Sequence, residues 1–294
     1  MKDFTHFGIK HRRFPDYNYN AIWSNLKTIR LGSGYAKELP PDCAEFYDVS
    51  LGTKCNLECP FCYTNALHTG EFYKDVCKKA KRFFGKMDSN QKPFQIAIGS
   101  QGEPTIHPEF ITFLQTIYEL GIVPNYTTNG ITLASGNKEL LDATEKYCGG
   151  VAVSANTWNP TINNIWKQAV ENLMKIDINI NLHYVISDKK SVDRFVNEVY
   201  PYIDNILYFV LLPLMNSGRS TSKYTEDAFE YLLSKDLDWS KIAFGAHFYD
   251  LLKKQDKLKC WLYPPESLSK NLILSDKITI TKSSFHKEPI WQEK

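Results

Sequence analysis

Apolar residues in this chain recur with two different periods, which alternate along the sequence. Short runs rich in β-branched and aromatic residues are followed by longer segments in which apolar residues return every three or four positions. The short runs are typical of strands and the longer segments of amphipathic helices, and their alternation is typical of strand–helix units with a parallel sheet. The six predicted strands span residues 46–51, 94–98, 123–127, 150–154, 179–186 and 206–212.

The helix expected after the second strand shows the helical period most clearly. Phe110, Phe113 and Ile117 lie on one face of a helix, and Gly121 is placed to end it. Polar residues or a proline suited to helix starts precede similar segments later in the chain. These segments are residues 138–147, residues 160–174 and the apolar stripe at 192–199.

Six strand–helix units predict an α/β fold. Right-handed crossovers let six units either curl into part of a barrel or lie as a doubly wound sheet, and the pattern leaves both arrangements open. In both arrangements, ligands bind at the carboxyl ends of the strands. We therefore expect functional residues directly after the predicted strands.

The strand–helix units occupy residues 46–220, which we interpret as the main domain. Residues 1–45 are expected to be an N-terminal extension, in which two β-rich runs predict a small β-hairpin. Residues 221–294 are expected to form a C-terminal cap, with a helix near residues 225–237 and a β-hairpin over residues 271–281.

Composition narrows the class of protein and of partner. With 43% apolar residues among 294, the chain can bury a sizeable core, and 35 Lys and Arg against 33 Asp and Glu leave a net charge of +2. A charge this small argues against nucleic acid or an anionic membrane as the main partner. No apolar run is long enough to span a membrane, and the first residues lack the apolar stretch of a secretory signal, so we expect a cytoplasmic protein.

Three of the seven cysteines lie within eight residues of each other. An odd number of cysteines without a secretory signal argues against a disulfide scaffold, and clustered cysteines in a reducing compartment usually bind metal. Cys55, Cys59 and Cys62, which follow the first predicted strand, are therefore the expected metal ligands. We expect Cys43, Cys77 and Cys148 to be buried and to pack as small apolar residues.

The spacing Cys-x3-Cys-x2-Cys bears on the kind of metal site. A structural zinc site uses four tetrahedral ligands, whereas a cubane iron–sulfur cluster held by three cysteines leaves one iron open to an external ligand. The loop provides three thiols, with Phe61 and Tyr63 on either side of Cys62. It resembles the signature loop of the radical S-adenosylmethionine (SAM) superfamily.

Segments after the other predicted strands strengthen this resemblance. Residues 101–104, Gln-Gly-Glu-Pro, resemble the family's Gly-Gly-Glu-Pro segment, with Gln101 in place of the first glycine. The backbone at this position must accept a Cβ atom, so a slightly displaced loop is expected. Residues 127–130, 154–156 and 213–219 resemble three further family segments, the last of them from relatives with a molybdopterin-biosynthesis-like or peptide-maturase-like core.

The resemblance implies a fold, cofactors and a reaction class. The implied fold is an open, partial (β/α)6 TIM-like barrel, and the implied cofactors are a [4Fe-4S] cluster and SAM. In the family, the methionine amino and carboxylate groups bind the open iron, and an electron from the reduced cluster splits the sulfonium into methionine and a 5′-deoxyadenosyl radical. This radical removes a substrate hydrogen atom, while the protein orients cofactor and substrate and excludes water.

The resemblance also implies roles for individual residues. Cys55, Cys59 and Cys62 would ligate the cluster, and no residue is assigned to the hydrogen transfer itself. The remaining implied contacts are Glu103 and the backbone near Gly102 on the methionine amino group, Phe61 and Tyr63 beside the adenine, Asn129 and Ser154 near the ribose, and Arg219 on a carboxylate.

The resemblance also implies partners for the protein, and one competing function remains open. The implied partners are an unidentified peptide or small-molecule substrate and a reductant such as flavodoxin or ferredoxin. After the barrel only Cys260 remains, and one cysteine cannot hold a second cubane, so we expect no auxiliary cluster. The competing function is a non-catalytic α/β binding protein that is stapled by zinc or an iron–sulfur centre.

Overall fold

Two β-sheets are present in the computed structural model, which describes residues 2–6, 9–14, 19–24, 27–32, 46–88, 92–252, 254 and 269–293. The first sheet is antiparallel, and its four strands are neighbours in chain order. Its last two strands pair where the sequence predicts the N-terminal hairpin. The strands are β1 (Lys2–His6), β2 (Ile9–Phe14), β3 (Tyr19–Ser24) and β4 (Lys27–Gly32).

Six parallel strands form the centre of the second sheet, as the sequence predicts. They are β5 (Phe46–Ser50), β6 (Gln95–Ile98), β7 (Val123–Thr128), β8 (Gly150–Ser154), β9 (Asn179–Ile186) and β10 (Tyr208–Pro213). Their order in the sheet follows their order in the chain. Crossovers of one hand then place the helices on one face, whereas a doubly wound sheet requires the order to reverse. The α/β class and the barrel-like arrangement are confirmed.

Short strands extend this sheet on both sides. On one side, β11 (Ile242–Phe244) pairs in parallel with β10. On the other, β12 (Ser269–Leu274) pairs in parallel with β5 and in antiparallel with β13 (Ile278–Thr281), at the predicted C-terminal hairpin. Strand β14 (Pro289–Gln292) ends the sheet beside β13. The C-terminal segment thus shares a sheet with the barrel strands.

The helices follow the predicted helical segments closely. Asn137 caps the helix at residues 138–147 by accepting a hydrogen bond from the Leu140 backbone N–H, and Asp188 and Ser191 form a reciprocal capping box. The α-helices are α1 (Val76–Gly85), α2 (Phe110–Glu119), α3 (Ile131–Ala134), α4 (Lys138–Tyr147), α5 (Pro160–Leu173), α6 (Lys189–Arg194), α7 (Glu226–Leu233) and α8 (Tyr249–Leu252). None of these described helices is long and apolar enough to cross a membrane.

The two faces of the parallel strands have different chemistry. On β5, Tyr47 and Val49 are fully buried, and the Tyr47 ring packs edge-on against Phe84 of α1. Asp48, between them, points to the opposite face, because side chains alternate along a strand. The sheet therefore buries an apolar face under the helices and turns polar side chains towards a cavity inside the curl.

Candidate functional site

A cavity of about 390 Å³ lies at the carboxyl ends of the parallel strands. The loops after β5, β6, β7, β8 and β10 all contribute to its wall, as expected for a barrel-like fold. The residues expected from the sequence that line it are Cys55, Cys59, Phe61, Cys62, Tyr63, Gly102, Glu103, Asn129 and Ser154. The structure therefore brings nine of the ten candidates together, and Arg219 is the exception.

All three clustered cysteines are free, partly buried thiols that face this cavity. The backbone N–H of Leu57 donates to Cys55 Sγ over 3.4 Å. Burial raises the pKa of Cys55 to about 11 and that of Cys59 to about 12. Both thiols therefore hold their protons at neutral pH unless a positive group binds them, and metal binding here releases protons.

The donor set fits a cluster better than a single ion. Within the described ranges, no three His, Cys, Asp or Glu side chains lie close enough together to hold one metal ion. A tetrahedral zinc ion draws its sulfur ligands to about 2.3 Å from one centre, whereas cysteines that ligate different irons of a cubane stand farther apart. Three thiols spread along one cavity wall match the second arrangement.

The loop after β10 docks directly onto the cysteine loop. The Arg219 backbone N–H donates to the Cys62 carbonyl oxygen over 3.0 Å, and Ser217 Oγ donates to the Tyr63 carbonyl oxygen over 3.2 Å. Gly218 has a φ of 63°, and a Cβ atom there would overlap the Cys62 carbonyl oxygen. The close approach of the two loops therefore requires glycine at this position.

The Arg219 side chain also binds the cysteine loop. Its Nε donates to the Cys59 carbonyl oxygen over 2.9 Å, and its Nη1 donates to the Ala66 carbonyl oxygen over 2.7 Å. The guanidinium charge lowers the pKa of Cys59, against the larger effect of burial. Arg219 thus holds the backbone that carries the cysteines, and it lines a second cavity instead of the main one.

Glu103 is the centre of a buried hydrogen-bond network. Its Oε1 accepts from the Thr105 and Thr128 hydroxyls, each over 2.7 Å, and from the Thr105 backbone N–H over 3.2 Å. Its Oε2 accepts from the Asn129 backbone N–H over 2.8 Å. Burial raises the pKa of Glu103, and these hydrogen bonds oppose that shift. Oε2 has fewer donors than Oε1 and keeps capacity for a cationic ligand.

The backbone beside Glu103 explains the glycine at position 102. Gly102 has a φ of 67°, and a Cβ atom there would lie 2.6 Å from the Lys54 carbonyl oxygen, which accepts a hydrogen bond from the Glu103 backbone N–H. Gln101 is not among the described residues with positive φ, so its Cβ atom is accommodated in ordinary backbone. The substitution that departs from the family's segment therefore introduces no left-handed strain.

Asn129 connects the loop after β7 to the cysteine loop. Its side-chain N–H donates to Asn56 Oδ1 over 2.7 Å and lies 4.0 Å from Cys55 Sγ, while its Oδ1 accepts from the Ile131 backbone N–H. Ser154 lies at the end of β8 on the cavity wall. Asn129 thus has a positioning role next to the cysteines besides the expected one near a ribose.

The aromatic residues around Cys62 line the cavity, and one of them ties it to the C-terminal segment. The Tyr63 hydroxyl donates to the Ser100 carbonyl oxygen over 2.9 Å and contacts Ser284 Oγ over 3.1 Å, and its ring stacks on Phe285 with centroids 4.4 Å apart. Phe61 lines both cavities. Phe285 thereby closes one side of the cavity near the cysteines.

Two titratable residues on the cavity wall were not expected from the sequence. Burial raises the pKa of Asp48 to about 7 and lowers the pKa of His183, on β9, to about 4. The sequence does carry a signal for Asp48, because a carboxylate between buried Tyr47 and Val49 must face the other side of the strand. His183 carries the same signal, because it lies on β9 between Leu182 and Tyr184, which are both buried in the core.

The other two cysteines among the described residues lie apart from this site. Cys148 is buried in the core and Cys77 is partly buried on α1. Cys43 and Cys260 lie outside the described residues, and the expectation of no auxiliary cluster stays a prediction.

A family comparison decides the class of the domain. Residues 49–183 match the family model described as the Radical SAM superfamily. The match spans 135 of the 294 residues and shows that this part of the chain is similar to radical SAM domains. The match covers the cysteine loop, Glu103, Asn129 and Ser154, and superfamily members use SAM and an iron–sulfur cluster.

This chain is similar to one curated relative and to two crystal structures. It is 27% identical, over 99 residues, to the 7,8-dihydro-6-hydroxymethylpterin dimethyltransferase of Methanocaldococcus jannaschii, which covers 33% of this chain and 20% of the relative. Streptococcus suis SuiB bound to the precursor peptide SuiA gives a TM-score of 0.61 at 16% identity, over 81% of this chain and 59% of SuiB. SuiB bound to S-adenosylmethionine gives 0.59 at 16% identity, over 81% and 60%.

The comparison with SuiB supports the fold. The SuiB likeness covers most of this chain at low identity and so shows the barrel-like fold. This chain spans about a fifth of the curated relative and about three fifths of SuiB.

Replacing Gly218 with alanine tests whether the docked loop holds the cysteines. The new Cβ atom would overlap the Cys62 carbonyl oxygen, and the φ of 63° would add strain, so we expect Gly218→Ala to lose at least half of the bound iron and about 1 to 3 kcal/mol of stability. Iron per chain after anaerobic reconstitution and desalting checks this. Gly85→Ala is the control, because nothing lies within 4 Å of its added Cβ atom; equal iron in both variants would contradict the prediction.

Replacing Asp48 with asparagine tests the burial of this carboxyl group. With a pKa of about 7 in the folded protein and 3.8 ordinarily, the group's contribution to stability is full below pH 4 and is lost as the pH rises through 7. Asp48→Asn should therefore gain stability over the unmodified apoprotein as pH rises from 4 to 8. A shift of three pKa units corresponds to roughly 4 kcal/mol in the free energy of unfolding. Because the Asp48 side chain is partly accessible, we expect Asp48→Asn to gain only about 1 to 2 kcal/mol in this free energy.

Urea unfolding of the apoprotein at pH 4, 6 and 8 measures this difference. Asp204→Asn is the control because its side chain is exposed, and its difference from the unmodified protein should stay constant. If the difference in unfolding free energy between Asp48→Asn and the unmodified protein does not grow with pH, the Asp48 carboxyl group ionises in the folded protein at little cost.

Proposed function

We propose that the protein is a radical SAM enzyme in which Cys55, Cys59 and Cys62 hold a [4Fe-4S] cluster beside bound SAM, and that it removes a hydrogen atom from an organic substrate in the same cavity. The observation that carries this proposal is the convergence of three thiols and the buried Glu103 carboxylate on one cavity at the strand ends. The family match to residues 49–183 supports the assignment.

The cofactors supply the chemistry, and the chain supplies position and environment. When bound, the reduced cluster provides an electron that cleaves SAM to methionine and a 5′-deoxyadenosyl radical. Glu103 Oε2 would accept a hydrogen bond from the SAM amino group, because it has capacity left after the Asn129 N–H. Asn129 and Ser154 would meet the ribose, and Phe61 would border the adenine, as cavity-wall residues on successive loops.

The electrostatics of the cavity favour cationic ligands. The pKa of Cys55 and of Cys59 is raised by burial, so each thiol gives up its proton only when iron binds it. SAM brings an ammonium and a sulfonium next to Glu103. Positive cofactor groups thus offset carboxylate and thiolate charges that would otherwise be costly to bury.

The substrate, the reductant and the compartment also belong to this proposal. SuiB was crystallised with its precursor peptide, which supports a peptide as one substrate class for this chain, beside a small organic molecule. A low-potential reductant such as flavodoxin or ferredoxin would deliver the electron. A cytosolic location suits the three thiols, which must stay reduced to bind iron.

Anaerobic reconstitution of the complete chain tests the proposal. We expect about four irons with matching sulfide per chain, and 5′-deoxyadenosine on addition of SAM and a reductant. Deuterium transfer from candidate substrates into 5′-deoxyadenosine then identifies the hydrogen that is removed. A single zinc per chain without sulfide would support the competing stapled binding protein instead.

Replacing Cys59 with alanine tests the ligand assignment. Two thiolates cannot hold a cubane in this loop, so we expect iron and sulfide to fall to near zero in Cys59→Ala. Cys77→Ala serves as the control, since this thiol lies on α1 away from the cavity. Unchanged iron content in Cys59→Ala would refute the assignment.

Replacing Glu103 with glutamine tests the binding of the SAM amino group. The substitution removes a charge and leaves the size of the side chain, so we expect SAM affinity to fall about tenfold to a hundredfold while iron content stays the same. Calorimetry under anaerobic conditions measures the affinity, and Glu139→Gln, at an exposed position on α4, is the control. Equal SAM affinity in the two variants would show that Glu103 has another role.

A further inference from the structure

A second cavity of about 280 Å³ adjoins the first. It lies between the cysteine loop and the ends of β8, β9 and β10, and Phe61, Asn156, Val185 and Leu214 line both cavities. The two cavities are therefore neighbours that share part of their wall. Of the residues with a role expected from the sequence, only Phe61 and Arg219 are in its described lining.

Two buried donors on the wall of the second cavity have no partner. Trp158 Nε1 and Arg219 Nη2 are both inaccessible to solvent and lack a hydrogen bond among the described residues. The other nitrogens of Arg219 hold the cysteine loop, so only Nη2 is left over. Buried N–H groups without a partner are rare and costly, and two of them on one cavity wall indicate a missing acceptor.

The charge of the second cavity indicates an anionic acceptor. Arg194 and Arg219 line it, and its described lining contains no Asp or Glu. Arg194 also interacts with the Tyr184 hydroxyl, where it lowers the pKa of that phenol against the larger effect of burial. A guanidinium and an indole N–H suit a carboxylate, because a carboxylate accepts several charge-assisted hydrogen bonds.

The expected position of the SAM amino group argues against the SAM carboxylate as this acceptor. Both groups are bonded to the same carbon atom, so the carboxylate must lie within a few ångströms of the amino group. Glu103, the expected partner of that amino group, lines the first cavity and is absent from the described lining of the second. The acceptor in the second cavity therefore belongs to a different molecule.

We propose that the second cavity binds a carboxylate of the substrate, through Arg219 Nη2 and Trp158 Nε1. This inference rests on the proposed function, because it places the rest of the substrate in the first cavity. It assigns the substrate class as an organic acid, including a peptide with an acidic side chain or a free carboxyl terminus. Arg219 then has two tasks, since the same guanidinium positions the cysteine loop and meets the substrate.

Trifluoroacetate is a suitable probe because its fluorine signal reports binding directly. The reconstituted protein should bind trifluoroacetate saturably and should not bind the neutral trifluoroacetamide. Trp158→Phe removes the N–H and keeps an aromatic ring, so we expect trifluoroacetate affinity to fall about tenfold. Trp291→Phe, at a surface-exposed tryptophan, is the control and should bind as the unmodified protein does.

A second variant tests the same site in case Trp158→Phe does not fold. Arg194 is exposed, so Arg194→Gln should fold normally and lower trifluoroacetate affinity about twofold to threefold. SAM affinity, measured on the same samples, should be unchanged in both variants. Absence of saturable trifluoroacetate binding, or equal affinity in all variants, would overturn the proposal.

Two further results separate this inference from the proposed function. If Trp158→Phe weakens SAM binding and SAM displaces trifluoroacetate, the site belongs to SAM and the inference is overturned. Iron content and 5′-deoxyadenosine formation without substrate are measured on the same preparations. If iron and 5′-deoxyadenosine formation are lost while trifluoroacetate still binds, the proposed function is wrong and the anion site remains. If iron and 5′-deoxyadenosine formation are normal while trifluoroacetate does not bind, only the anion site is wrong.

Discussion

The structure depends on the docking of one short loop that carries three cysteines. A loop of eight residues has few backbone hydrogen bonds of its own, so its shape is set by neighbouring loops. Arg219 holds its carbonyl oxygens from one side and Asn129 holds Asn56 from the other. Gly218 makes the close approach possible. The thiols therefore face the cavity because residues far away in the sequence hold the backbone between them.

The same cavity brings together acidic groups in surroundings that oppose their ionisation. Burial raises the pKa of Cys55, Cys59, Asp48 and Glu103, and four hydrogen bonds oppose this rise at Glu103. Such an arrangement is costly in the empty protein and favourable when cationic groups bind. Iron and a sulfonium nucleotide would supply that charge, and the arginine-lined second cavity would take the anionic end of a substrate.

The sequence predicted the regular elements well because their periods are long and uninterrupted. Five of the six predicted strands agree with the structure within one residue at each end, and helix α4 agrees at both ends. Strand β11 was not predicted, because a strand of three residues is too short to show an alternation of apolar and polar positions. The docking of Arg219 could not be predicted either, since it joins residues 160 positions apart, and only the fold determines which loops meet.

Mössbauer spectroscopy of the reconstituted protein, enriched in ⁵⁷Fe and recorded with and without SAM, tests the central claim most directly. Three cysteines holding a cubane leave one iron without a protein thiolate. The account predicts that SAM changes the signal of one iron in four and leaves the other three unaltered. Four equivalent irons that do not respond to SAM, or a preparation that binds no iron, would contradict it.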